Sequence, residues 1–138
     1  MNEVPSTAVG SLGPRQGYNR DRWITTPKCG GRGQLTGSTV TLYTAPTGSI
    51  AGATSQKARL TEILFANNDS VARTITLYLV ESGGTANAAR TVMPAVSIPA
   101  NTTWRQEFNT PLESGETVQG KASTTAVITY RISVEELT

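Results

Sequence analysis

From residue 38 to the C-terminus, hydrophobic and polar residues alternate in short runs that turn-forming residues interrupt. A period of two sends successive side chains to opposite faces of a β-strand, and the runs predict seven or so strands. In residues 38–44, Val40 and Leu42 share one face and Thr39, Thr41 and Tyr43 the other. Residues 57–66 set Leu60, Glu62 and Leu64 against Thr61, Ile63 and Phe65, and the Asn67-Asn68-Asp69-Ser70 run that follows is a hairpin signal. In residues 73–81 the pattern points Ile75, Leu77 and Leu79 inward and Thr74, Thr76 and Tyr78 outward, ending at Ser82-Gly83-Gly84. Residues 85–93 have the best helix propensity of the chain over too short a span for a stable helix, so they read as a loop with a helical turn. Residues 96–98 and 103–108 flank Pro99-Ala100-Asn101, a tight turn suited to a short hairpin. Residues 116–122 and 125–135 complete the set, the last with Ala126, Ile128, Tyr130, Ile132 and Val134 on one face.

No amphipathic helix is present to cover a sheet, so the sheet must bury its apolar face on a second sheet. The expectation is an all-β fold: an antiparallel β-sandwich of jelly-roll or immunoglobulin-like topology over residues 38–138. Residues 1–37 have no sustained period, hold seven of the 13 glycines and carry Pro5, Pro14 and Pro27, which predicts an extended N-terminal arm. Aromatics and arginines interleave within this arm between Gly17 and Trp23. Tyr18, Arg20, Arg22 and Trp23 are therefore candidate partner-binding residues, because these types carry much of the binding energy at interfaces. In a competing reading Trp23 and Ile24 pack back onto the domain as an internal edge strand.

Composition narrows the chemistry. Charged residues make up 16% of the chain, against roughly 25% in an average soluble domain, while threonine (22), serine (11) and glycine (13) are abundant. The polar surface is thus mainly hydroxyl and backbone. With no histidine in the 138 residues, Ser-His-Asp and Cys-His catalysis and histidine-based zinc sites are excluded. The single cysteine, Cys29, has no intramolecular disulfide partner, and no apolar run approaches the ~20 residues of a membrane helix. The N-terminal residues lack the basic and apolar regions of a signal peptide, and the expectation is assembly in a reducing cytoplasm. Net charge is +2, divided as +3 over residues 1–37 and −1 over the remainder, without the basic stripe of a general nucleic-acid binder.

Several motifs point to chemistry and are outweighed by plainer readings. Residues 115–122 (GETVQGKA) match seven positions of a phosphate-binding loop but lack the hydroxyl that binds magnesium. They also lead into a β-branched run where a helix would be needed, so a hairpin with glycines at turns or a bulge is expected. Glu62, Glu81, Glu107, Glu113 and Glu116 supply carboxylates for glycoside hydrolysis but share no location in sequence; solvated edges explain them. No cofactor or metal motif is found. Trp104 beside Arg105 is a common binding-surface pair, although core packing of the indole is the favoured expectation.

Residues 39–49 (TVTLYTAPTGS), 58–84 (ARLTEILFANNDSVARTITLYLVESGG), 96–108 (VSIPANTTWRQEF) and 112–137 (LESGETVQGKASTTAVITYRISVEEL) carry, in order, a resemblance to small virion proteins of tailed bacteriophages. The likeness lies in the sequence of strands and turns and covers about three quarters of the chain; residues 1–37 have no counterpart in it. Beside a rival reading that the Thr/Asn-rich loops and Trp104 support, recognition of a host glycan, the resemblance implies a non-enzymatic structural protein, most simply a head-decoration or cementing protein, with neck, collar or fibre attachment as alternatives. It further implies a virion location after assembly in the host cytoplasm, and a major capsid protein or other virion proteins as partners. Self-association as a dimer or trimer belongs to the same implication, with no direct contact to nucleic acid or membrane.

Overall fold

The computed structural model describes residues 25–47 and 56–137. They form eight strands: β1 (Thr25–Gln34), β2 (Val40–Thr44), β3 (Gln56–Asn67), β4 (Arg73–Val80), β5 (Thr91–Ile98), β6 (Thr103–Glu113), β7 (Thr117–Ala122) and β8 (Ile128–Leu137). A single 3-10 turn over Ala88–Arg90 lies between β4 and β5, capped by Asn87, whose side chain accepts the amide of Ala89. The strands make two antiparallel sheets of four, ordered β1-β8-β3-β6 and β2-β7-β4-β5. This alternation of consecutive strands between facing sheets is a jelly roll.

The topology corrects three hairpin expectations. Strands β3 and β4, joined by the Asn67-Asn68-Asp69-Ser70 turn, lie in different sheets, and so do β5 and β6 on either side of Pro99-Ala100-Asn101 and β6 and β7 on either side of Ser114-Gly115. Turn residues mark where a chain reverses and carry no information about which sheet it enters next. Among the described strands, consecutive members pair directly only at β4 and β5. Residues 25–34, counted with the arm in the sequence reading, are strand β1 at a sheet edge, and Leu35 just beyond is fully buried. Two of the glycines that obscure any periodicity there, Gly30 and Gly31, are required by close packing.

The two inner faces form one core. Leu60, Ile63, Phe65, Leu112, Ile128, Ile132 and Val134 come from the first sheet, and Leu42, Ile75, Leu77, Met93, Ile98 and Val118 from the second. Each large side chain fully withdrawn from water contributes about 1.5–3 kcal/mol. In β3 neither alternating set read from the sequence is the core set: Leu60 comes from one, Ile63 and Phe65 from the other. The reason is a β-bulge. From Leu60 to Glu62 strand β3 advances two residues while β8 advances one, from Val134 to Ser133, leaving Thr61 over. That extra residue switches the inward-facing parity, and the Thr61 hydroxyl donates to the Ser133 carbonyl at 2.9 Å across the interrupted ladder. At the start of β8 the expected strand is shorter than predicted, because Ala126 takes a left-handed conformation (φ 66°) within the turn and donates its amide to the Leu35 carbonyl.

One end of the sandwich is closed by a buried polar residue. The Asn67 side chain donates to the carbonyls of Val71, Ile98 and Pro99 at 3.0–3.1 Å and accepts the amide of Asp69 at 2.9 Å. It ties the β3–β4 turn to the β5–β6 turn, and Asn101 N–H to the Asp69 carbonyl reinforces the tie.

Ile128→Asp, which puts a carboxylate at a fully buried position, is expected to abolish soluble folding. The cost is several kcal/mol, on the order of the roughly 5–15 kcal/mol that stabilises a domain. A soluble variant with a cooperative melt would contradict the buried assignment. Asn67→Ala leaves the buried Ile98 carbonyl and the part-buried Val71 and Pro99 carbonyls without their donor and should cost about 1–3 kcal/mol, read as a lower urea midpoint with unchanged m-value.

Candidate interaction surface

The root of the N-terminal segment is a tightly fitted edge. Strand β1 pairs with β8 from Thr25↔Leu137 to Gln34↔Thr129, with a register shift between Cys29 and Gly31. A Cβ on Gly31 would stand 2.6 Å from the Leu42 carbonyl oxygen, and one on Gly30 would stand 2.9 Å from the Tyr43 ring. The first obstacle is backbone and cannot move aside, so the Gly-Gly step is what lets β1 lie against β2 of the facing sheet. Tyr43 fills the junction and donates its hydroxyl to Glu136 at 2.5 Å. Lys28 reaches the other oxygen of the same carboxylate at 3.3 Å. Burial, then the hydrogen bond, then the charge of Glu136 all push the Tyr43 hydroxyl well above its ordinary value.

Across the outer face of the same sheet, the registers align Arg32, Arg131, Leu64 and Arg105 in one row over all four strands. Arg105 is held by Glu62 at 3.1 Å and Glu107 at 3.4 Å. Arg32 and Arg131 face one another directly, both exposed and with no acidic partner among the described residues. Like charges directly opposed on a sheet destabilise it, and a partner that brings an acidic group would remove that repulsion.

The far edge is β6. Trp104, expected in the core, is 36% exposed. It stands opposite Phe65, which is fully buried, but an edge strand has neighbouring sheet on one side alone. Its indole N–H donates to the Gln106 side chain at 3.3 Å.

Of the carboxylates weighed in the sequence, Glu62 and Glu107 meet across β3 and β6 at Arg105, while Glu81 and the turn pair Glu113 and Glu116 lie apart from them. Glu62 pairs with Arg105; Glu81 pairs with Arg90, whose hydrogen bond holds that carboxyl down to about 2; Glu116 accepts the Glu113 amide at 2.9 Å within the β6–β7 turn. Arg73 likewise lowers Asp69. Among the described residues no three Cys, Asp or Glu side chains gather as a metal site. The segment that resembled a phosphate loop is the β6–β7 turn, with Gly115 at φ 76°, followed by strand β7. Tyr18, Arg20, Arg22 and Trp23 lie outside the described residues. Sequence reading missed the arginine row, whose three arginines lie on β1, β8 and β6 and align only through register.

No protein-family model and no curated protein matches the sequence. Among solved structures, the infectious bursal disease virus VP2 subviral particle is similar at 16% identity and a TM-score of 0.49, covering 83% of this chain and 32% of that one. The tobacco streak virus coat protein dimer is similar at 10% identity and a TM-score of 0.36, covering 83% and 86%. An exo-beta-1,3-galactanase from Phanerochaete chrysosporium with galactose is similar at 21% identity and a TM-score of 0.39, covering 80% and 29%. The chain spans about a third of the length of the bursal disease virus chains it matches. The jelly-roll assignment rests on the strand order and register of this chain itself.

Gly31→Ala is expected to destabilise the fold by about 1–3 kcal/mol through the clash with Leu42, seen as a lower melting temperature. For Tyr43 the folded protein favours the protonated phenol, so its contribution is complete below the ordinary value of 10.0 and declines as pH rises above it. Denaturant midpoints measured from pH 8 to about pH 11 should fall for the natural protein and fall less for Tyr43→Phe.

Proposed function

We propose that this protein is a non-enzymatic structural protein of a bacteriophage particle, a capsid decoration or cementing protein that attaches through its N-terminal arm. The observation that carries the reading is where the chain enters the fold. Strand β1 runs along the edge of its sheet with Thr25 opposite Leu137 of β8, so the N-terminal end of the described jelly roll lies at a rim of the sandwich. The aromatic and arginine residues Tyr18, Arg20, Arg22 and Trp23 stand immediately before that point. Aromatic side chains offer large contact area and arginine offers forked hydrogen bonds to acidic or backbone groups, a combination suited to laying an arm across a neighbouring subunit. The phage resemblance of the strand-and-turn order supports the same reading. Because β1 is part of the sandwich, the attaching segment in this proposal is residues 1–24, a narrower element than the 37-residue arm read from sequence. Self-association and a capsid protein as partner belong to the proposal.

A second reading, recognition of a host glycan, is favoured by one observation: the exposed indole of Trp104 beside Gln106. A chain beginning at Thr25 and the quadruple variant Tyr18→Ala, Arg20→Ala, Arg22→Ala, Trp23→Ala should both keep a melting temperature close to that of the full chain. Neither should bind particles that lack the protein. Retained binding would refute attachment through the arm. High copy number in particles with an empty glycan array supports cementing; low copy number with selective sugar binding that Trp104→Ala removes supports the second reading.

A further inference from the structure

On the opposite face of the sandwich from the arginine row lies a cavity of about 200 Å³ lined by Gly37, Thr74, Thr76, Lys121, Ala122 and Ser123. Its chemistry follows from the registers. Ile75↔Ala122 and Leu77↔Gly120 flank Thr76↔Lys121, and since Ile75, Leu77 and Ala122 face the core, Thr76 and Lys121 face outward side by side. Lys121 has no acidic partner among the described residues, and the next outward row, Thr41, Gln119 and Tyr78, is uncharged.

The hydroxyls beside it are already oriented. Strand β5 bulges between Met93 and Val96, where Ala95 adopts φ 43° and directs its amide at Thr76 Oγ1 at 3.3 Å. The Thr74 amide donates to Ser123 Oγ at 3.1 Å, while Ser123 returns its own amide to the Thr74 carbonyl. A hydroxyl that accepts a backbone N–H turns its own proton elsewhere, and neither Thr76 nor Ser123 has an acceptor for that proton among the described residues. One ammonium and two hydroxyl protons thus border a single cavity with no carboxylate in its lining. We propose that this cavity is a binding site for a small oxyanion, held by Lys121 Nζ and by the Thr76 and Ser123 hydroxyls. A free phosphate or sulfate and the carboxylate of an acidic sugar share this chemistry. The volume is below that of sites for drug-sized ligands and suits a single anionic group or one sugar ring.

The test is titration of the full chain with sodium phosphate, sodium sulfate and sodium glucuronate at constant ionic strength, followed by amide chemical shifts. Saturable shifts at Thr76, Lys121, Ala122 and Ser123 are expected for at least one of the three. Lys121→Met should weaken that affinity about tenfold or more, the loss of one charge-assisted hydrogen bond. Ser123→Ala, read independently, should weaken it by a smaller factor. Preference for phosphate or sulfate identifies an inorganic ion, and preference for glucuronate identifies a sugar acid. Shifts that do not saturate for any of the three, or affinities unchanged in both variants, overturn the proposal.

Discussion

The structure depends on one constraint: two sheets without covering helices must bury their apolar faces in each other. Each face alone would leave a row of leucine, isoleucine and phenylalanine in water, and together they form a single core in which Leu60, Ile63, Phe65, Ile75, Leu77 and Ile132 are almost fully withdrawn. From this follows the course of the chain. Strands adjacent in sequence are mostly set in facing sheets, so the turns between them span the thickness of the sandwich and the pairing in each sheet is between residues distant in sequence.

A sandwich closed this way still has ends and edges, and polar or glycine residues manage them. At one end Asn67 satisfies three carbonyls that the crossing turns would otherwise leave unpaired. At the β1 edge the Gly30-Gly31 step admits the facing strand, and Tyr43 with Glu136 and Lys28 seals the seam. The bulge at Thr61 does the same for the middle of the sheet, letting a strand with two competing hydrophobic sets bury the pair of positions that fits.

What remains outward is different on the two faces. The first sheet presents arginines in a cross-strand row, partly neutralised by Glu62 and Glu107, and the second presents threonines, serine and one lysine around a small cavity.

The sequence by itself determined the class of fold. Period-two alternation and the lack of any helical stripe required strands, and strands with one apolar face required a second sheet; the inward set Ile75 and Leu77 and the core residues Ile128, Ile132 and Val134 were legible at once. Tertiary structure decided what alternation cannot encode. A hairpin turn and a sheet-crossing turn use the same residues, so the jelly-roll order was not legible; a one-residue bulge inverts every following position, so the core face of β3 was not either. Strand β1 was hidden because glycines chosen for close approach to Leu42 and Tyr43 erase the pattern that would announce it. Trp104 is exposed because it lies on an edge, and the oxyanion cavity exists because register places Thr76 beside Lys121. Edge and register are both relations between strands distant in the chain, set by the packing of the whole.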